Sequence, residues 1–119
     1  MAYFDFMVTP AKLERMAEYK KLVAKSAKLW KKCGALTYME CVAEDVKPGK
    51  TTSFPQSLKL KSGEIVVVAL IGYKSRKHRD QVWAKVMKDP RLAKLCDPKD
   101  MPMDCKRMVY GGFKVLVEA

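Results

Sequence analysis

Six segments in the order strand, helix, strand, strand, helix, strand predict an α+β protein with the ferredoxin-like β-α-β-β-α-β arrangement and a four-stranded antiparallel sheet. A second observation is the run from Ile65 to Gly72, in which eight consecutive residues carry no polar side chain. A strand that is apolar on both faces must be covered on both faces, so we expect this strand at the centre of the sheet. The third observation is that the two substantial helices can cover one face of such a sheet and not the other.

The length of 119 residues predicts a single domain, spanning residues 1–119. Hydrophobic residues make up 49% of the chain and charged residues 31%, which is typical of a folded rather than a disordered protein. No segment approaches the roughly 20 apolar residues of a membrane helix. The N-terminal MAYFDFMV lacks the features of a signal peptide, so we expect a cytoplasmic protein with no membrane partner.

The cysteines and the single histidine predict neither a metal site nor a cofactor. Cys33, Cys41, Cys96 and Cys105 form no C-x-x-C pair, and His78 has no second histidine with which to share a metal. We therefore expect reduced thiols, as is usual in the cytoplasm.

The first strand is predicted over residues 2–8. It is followed by a helix with Thr9 as N-cap and Pro10 as its first residue. This helix is expected to end at Cys33, before Gly34. The later elements are a strand at 35–43, a hairpin arm at 56–61, the central strand at 63–74, a helix at 76–88 that Ser75 caps, a short helical turn at 90–95, and a strand at 106–118. Gly111 and Gly112 predict a bulge or a close approach of backbones in the last strand.

Right-handed crossovers place both helices on one face of the sheet and make the first and third strands central. The third strand is apolar on its second face as well, and an exposed apolar patch of that size is expected to pack against another molecule. The simplest solution is a homodimer whose two sheets pack face to face.

With the elements in this order, the chain resembles the YbaA-like family of small bacterial proteins of unknown function. The resemblance covers essentially the whole chain and rests on three segments: CGALTYMECVAEDVKPGKTTSFP, YKSRKHRDQVWAKVMKDPRL and DPKDMPMDCKRMVYGGFKVLVE. It implies a dimeric α+β barrel, the superfamily that also contains cofactor-free monooxygenases, haem-degrading enzymes and chlorite dismutase-like proteins. It does not imply an activity, because the family has none firmly assigned.

Asp5 is the first candidate site residue, because it is a charge within an otherwise apolar strand. We expect Phe4, Phe6 and Val8 to pack on the helices, which directs three residues into a cavity between the two sheets: Tyr3, Asp5 and Met7. A partly desolvated carboxylate there could accept or donate a proton. The alternative is a structural ion pair with a basic residue such as Arg107, and we favour that alternative.

Four further residues are candidates. Glu40 lies on a predicted edge strand, where a solvated edge charge is the simpler interpretation, and Tyr38 shares its face. His78, the sole imidazole, could act as a base, although an exposed histidine at a helix start is the simpler interpretation. Arg79 projects from the middle of the apolar stripe of the second helix, at its first turn, where it could bind a ligand carboxylate or extend along Trp83 to solvent.

Together these residues predict a protein that binds a small, largely apolar metabolite, with a monooxygenase-like activity as the expected chemistry. Cofactor-free oxidation of a phenolic compound requires little more than an apolar pocket and one or two polar groups. The net charge of +11 suggests an alternative, RNA binding through the lysines at 21, 25, 28 and 32 and the basic second helix. We consider nucleic acid the weaker interpretation, because no aromatic residues interleave with these lysines as a stacking surface requires. A structural dimer without a ligand is the third alternative.

Overall fold

The protein folds as a four-stranded antiparallel sheet with helices packed on one face, in the strand order β2-β3-β1-β4. The structure is a computed structural model that describes residues 2–95 and 97–119, so Cys96, one of the predicted reduced cysteines, lies outside the described residues. The elements are β1 (Tyr3–Lys12), α1 (Met16–Lys32), β2 (Thr37–Val42), α2 (Phe54–Ser57), β3 (Glu64–Tyr73), α3 (Arg76–Lys88) and β4 (Val109–Lys114). The predicted ferredoxin-like architecture is confirmed, with β1 and β3 at the centre of the sheet.

β1 is longer than the sequence predicted, and it includes the residues that were expected to start the helix. Thr9 and Pro10 are buried strand residues paired with Val67 and Val66 of β3. The predicted helix start at Thr9-Pro10 was therefore wrong, and α1 begins only after a 3₁₀ turn at Leu13–Arg15. The β1–β4 pairing ends at Val8, so Pro10 lies where its missing N–H removes no bond to β4.

The ends of the helices agree better with the predictions. Ser75 caps α3, because its Oγ accepts a hydrogen bond from the backbone N–H of His78 at 3.1 Å. The chain turns away after α1 at Gly34, whose φ of +118° suits glycine. Among the residues that the structure describes, no helix is both long enough and apolar enough to cross a membrane.

Two other local predictions were wrong. Residues Phe54–Ser57 form a single helical turn rather than a hairpin arm, because Ser53 provides an N-cap for Gln56. The register of β4 against β1 runs through Gly111 and Gly112 without a bulge. Gly112 instead accommodates a side chain, since a Cβ at this position would overlap the Tyr3 hydroxyl and lie 2.7 Å from its Cζ.

The residues of β1 that face the helices are those at odd positions, which is the reverse of the predicted arrangement. Asp5 is 3% exposed and bonds to side chains of α3. Its β3 partner Ile71 is part of the main core, whose other buried members are Leu29, Trp30, Cys33, Ala35, Tyr73, Val82 and Val86. The helix face is the favourable side for Asp5 because α3 brings polar partners to it, which an apolar sheet surface cannot provide.

The face of the sheet away from the helices, here called the open face, is apolar and largely uncovered. Phe6 packs edge-on against Phe113 of β4, with ring centroids 5.3 Å apart. Phe4, Val8, Val68 and Leu70 are half-buried. Toward the edges of the same face, exposure rises to 51% for Met39, 56% for Val109 and 57% for Phe113. None of these residues carries a charge.

Candidate functional site

Asp5 lies in a closed hydrogen-bond network between β1, β3 and α3. One oxygen, Oδ1, accepts from Nη1 of Arg79 at 2.9 Å. The other, Oδ2, accepts from the Tyr73 hydroxyl and from Nε1 of Trp83, each at 2.9 Å. The carboxylate is therefore buried with both oxygens occupied, as a structural ion pair requires.

The arginine that pairs with Asp5 differs from the expected one. Arg107 is bonded to Glu64 and Asp104 instead of Asp5, so the predicted Asp5–Arg107 pair was wrong. Arg79 takes that role because it lies in the first turn of α3, directly over the Asp5 end of β1. Its guanidinium carbon is 5.2 Å from the ring centroid of Tyr3 and 5.8 Å from that of Trp83.

This network leaves Asp5, Tyr3 and Arg79 with little capacity for a ligand. The side chain of Arg79 is 18% exposed, and its Nε already donates to Asp80 at 2.8 Å. The predicted cavity beside Asp5 and Tyr3, between two sheets, does not match the geometry, because these side chains lie under the helix layer. The three residues join α3 to the sheet, and the structure favours a structural role for them.

Glu40 lies at the centre of a second polar cluster, under α1. It is half-buried on β2, and its Oε2 accepts from the Tyr19 hydroxyl at 3.0 Å. Its Oε1 accepts from the Tyr38 hydroxyl at 3.3 Å, and that hydroxyl is 3.0 Å from the Oγ of Ser26. β2 is an edge strand as predicted, but Glu40 is not a solvated edge charge, because it points inward toward α1.

Burial determines the protonation behaviour of this cluster. Desolvation raises the pKa of Glu40 above its ordinary value, although the hydrogen bonds from Tyr19 and Tyr38 act in the opposite direction. Desolvation also raises the pKa of both tyrosines, with the Glu40 charge adding to the effect. The tyrosines therefore remain hydrogen-bond donors near neutral pH, and Glu40 is a better proton acceptor than an exposed carboxylate would be.

Glu40 and its partners line a chamber between α1 and the sheet. The chamber, here called the Glu40 chamber, has a volume of about 130 Å³. Its polar groups belong to Thr9, Tyr19, Ser26, Tyr38 and Glu40, and Asp5 is not among the lining residues. Most of the remaining wall is apolar and comes from Met7, Leu22, Trp30, Ile71 and Met108. The arrangement can hold a small ring against a carboxylate that accepts hydrogen bonds.

A larger and more open pocket of about 310 Å³ lies next to the chamber, between α1 and β2. Met16, Val42 and Val67 form apolar parts of its wall, and Lys20 lies at its rim. It shares three residues with the chamber, Tyr19, Val23 and Glu40.

His78 has a role in the helix start. It is half-buried, and its Nδ1 accepts a hydrogen bond from the backbone N–H of Lys74 at 3.0 Å. The ring also packs edge-on against Tyr73, with centroids 6.0 Å apart. It does not line the Glu40 chamber, so the structure does not bring it together with Glu40.

Of the predicted site residues, the structure thus brings Tyr38 and Glu40 together at a cavity and assigns Tyr3, Asp5 and Arg79 to another cluster. The sequence interpretation missed Tyr19 and Ser26, which lie on the buried face of α1. A signal was available for Tyr19, because a tyrosine in the apolar stripe of a helix must find a partner for its hydroxyl.

Fold and site together define a ferredoxin-like α+β protein with a small chamber between its helices and its sheet. The family model for proteins of unknown function named DUF1428 matches residues 2–105, and the chain belongs to this family. It is 39% identical over 118 residues to the uncharacterized protein YbaA of Escherichia coli K12, with 99% of each chain covered. YbaA of Shigella flexneri matches to the same extent. The predicted resemblance is confirmed.

Two solved structures share the fold at low sequence identity. One is a dimeric ferredoxin-like protein from an uncultured marine organism, with a TM-score of 0.60, 17% identity and 100% of both chains covered. The other is a variant of SnoaB, a cofactor-independent oxygenase from Streptomyces nogalater, with a TM-score of 0.61 and 12% identity. It covers 98% of this chain and 95% of that one.

Proposed function

We propose that this protein is a homodimer in which each subunit binds a small, largely apolar metabolite in the Glu40 chamber, with Glu40 as the proton acceptor. The observation that carries the proposal is the Glu40 carboxylate itself, which is drawn under α1 and held by two tyrosines against an apolar cavity. A folded protein seldom places a carboxylate against apolar walls without a structural counter-charge unless the group has a function.

The size of the chamber suggests the class of compound. An apolar cavity of about 150 Å³ can hold one benzene-sized ring, and the Glu40 chamber measures about 130 Å³. A phenolic ring fits this chemistry, because its hydroxyl can donate to Glu40 while its body contacts Leu22 and Ile71. Substituents on such a ring would extend into the adjacent pocket.

The reaction class that we propose is monooxygenase-like. The phenolic hydroxyl donates a hydrogen bond to Glu40, which makes the ring more electron-rich. The proton passes to Glu40 as the ring gives an electron to dioxygen. Recombination of the ring with superoxide and return of the proton give a hydroperoxide, which loses water to leave a quinone. Burial supports this step, because it raises the pKa of Glu40 toward the range in which a carboxylate is an effective base. The fold is shared with SnoaB, which is described as a cofactor-independent oxygenase.

The open face supports the homodimer. Its apolar residues are half-buried in the middle of the sheet and exposed along both edges, and they carry no charge. Two copies of a chain with net charge +11 can therefore meet there without direct repulsion. A dimeric protein of the same fold provides a precedent.

RNA binding remains the weaker proposal. Both aromatic residues of α1, Tyr19 and Trp30, are buried under the helix. Its exposed lysines therefore have no stacking partners on the same surface.

Calorimetric titration with 4-methylphenol and with para-xylene tests the binding site, because the two compounds differ only in a hydroxyl replacing a methyl group. We expect the phenol to bind about tenfold more tightly through its hydrogen bond to Glu40. Glu40→Leu, which removes the acceptor oxygens, should abolish this preference, whereas Glu44→Leu, at an exposed loop position, should preserve it. Equal affinity of the wild-type protein for both compounds would contradict the proposal.

Light scattering after size-exclusion chromatography tests the dimer. Val68→Asp and Leu70→Asp each place a charge on the open face, and each should give a monomer or an insoluble chain. Thr51→Asp, in an exposed loop, is the matched control and should remain a dimer. If both β3 variants were soluble dimers, the face-to-face arrangement would be incorrect.

A further inference from the structure

The wall between the Glu40 chamber and the adjacent pocket consists of three residues that line both cavities. Two of them, Tyr19 and Val23, come from successive turns of α1, and the third is Glu40 of β2. The Tyr19 hydroxyl bonds to Oε2 of Glu40 at 3.0 Å and so connects the helix to the strand at this wall. The contact therefore lies between the open pocket and the chamber.

Two other bonds tie α1 to β2 and to the residue before it. Ser26 is 3.0 Å from the Tyr38 hydroxyl, and neither residue lines the outer pocket. At the C-terminal end of α1, Lys31 donates to the carbonyl of Leu36 at 2.7 Å. Rotation of the Tyr19 side chain therefore opens the wall while these two contacts keep α1 attached to the sheet.

We propose that the Tyr19–Glu40 hydrogen bond is the gate of the Glu40 chamber, and that a hydroxyl-bearing compound opens it by replacing Tyr19 as the donor to Oε2. This inference rests on the proposed function, and it adds an entry route and a requirement on the compound. The Tyr19 hydroxyl occupies the position that the hydroxyl of the bound compound takes. Its ring also lines the open pocket, which offers the space for rotation.

Loss of a side-chain contact in a binding site ordinarily weakens binding, whereas the proposed gate predicts that loss of the Tyr19 hydroxyl strengthens it. Tyr19→Phe removes the internal competitor for Oε2, so its affinity for 4-methylphenol should rise about tenfold. The affinity for para-xylene should be unchanged, because the gate can close again behind a compound that does not bind Glu40. Stopped-flow measurements should show that both compounds associate faster with Tyr19→Phe than with the wild-type protein.

Tyr38→Phe is the matched control. It also removes a hydroxyl that donates to Glu40, but Tyr38 lies on the inner wall of the chamber. Its association rate for para-xylene should equal that of the wild-type protein. Weaker binding of 4-methylphenol by Tyr19→Phe, or unchanged association rates, would overturn the gate.

A measurement on the wild-type protein makes the test independent of the folding of the variant. With ¹³C-labelled tyrosine, 4-methylphenol should shift the Cζ signal of Tyr19, which reports the hydrogen bond of its hydroxyl, and para-xylene should shift it much less. Equal shifts with both compounds, or none with either bound compound, would refute the replacement of Tyr19. If neither compound bound to the wild-type protein or to any variant, the proposed function itself would be wrong.

Discussion

Replacement of Asp5 by asparagine tests the structural role of the network between β1 and α3. The substitution keeps the size of the side chain and removes its charge. The asparagine oxygen can still accept from Tyr73 and Trp83, but its NH₂ group then faces Nη1 of Arg79, where two donors meet. The arginine side chain is 18% exposed, so most of its charge has no access to compensating water.

The expected loss of stability follows from these contacts. Removing one partner of a buried ion pair costs about 3–5 kcal/mol, because the other charge remains buried. The lower end applies here, since Arg79 keeps its bond to Asp80 at 2.8 Å. We therefore expect Asp5→Asn to lower the free energy of unfolding by about 3 kcal/mol, which for a domain of this size lowers Tm by roughly 10 °C.

Asp80→Asn is a matched control, because it removes a second carboxylate from the same arginine. The Asp80 side chain is 57% exposed, and such pairs contribute less than about 1 kcal/mol. Urea unfolding at a fixed protein concentration measures both variants, with an unchanged dependence on urea as the sign of a comparable unfolded state. The structural interpretation of Asp5 would be refuted if both variants lost the same stability, or if Asp5→Asn lost none.

Two further predictions concern Glu40 and the glycines of β4. Because burial raises the folded-state pKa of Glu40 above 4.5, the native protein binds this proton more tightly than the unfolded chain does. The stability of the wild-type protein relative to Glu40→Gln should therefore fall as the pH rises from about 4.5 through the folded-state pKa of Glu40, and then level off. Urea unfolding of both proteins across this pH range measures the difference. A difference in stability that does not change with pH would contradict the prediction. Gly112→Ala should cost about 1–3 kcal/mol in thermal unfolding, because its Cβ displaces Tyr3. Gly111→Ala, whose Cβ meets Phe113 at 3.7 Å, should cost nothing measurable, and equal losses would argue against the overlap with Tyr3.

The sequence predicted the elements whose signals are local. Ser75 and the helical spacing of the apolar residues Val82, Trp83, Val86 and Met87 were sufficient to locate α3, which begins and ends where it was expected. The apolar run of β3 predicted a central strand, because its composition leaves no face for water. The start of α1 was misplaced because Thr9-Pro10 is a good helix start in isolation, and only the pairing of β1 with β3 extends the strand through it.

The candidate site was predicted less well. The sequence identified Tyr38 and Glu40 as residues on one face of the same strand. It did not show whether that face is the one that the helices cover. Tyr19 is twenty-one residues away from Glu40 along the chain, and its hydrogen bond depends on the packing of α1. The network of Asp5 likewise depends on Arg79 and Trp83, seventy-four and seventy-eight residues away.

The order of strands and helices, the central position of β3 and the excess of apolar surface were determined by the sequence alone, since each follows from side-chain periodicity and local capping. The direction in which Asp5 and Glu40 point was decided only by the tertiary structure. Alternation along a strand defines two faces, but their environments depend on which one the helices cover and which polar partners they bring. Those distant partners determine the free energy of burying a carboxylate. They therefore determine whether the carboxylate becomes part of a structural ion pair, as Asp5 does, or a hydrogen-bond acceptor in a chamber, as Glu40 does.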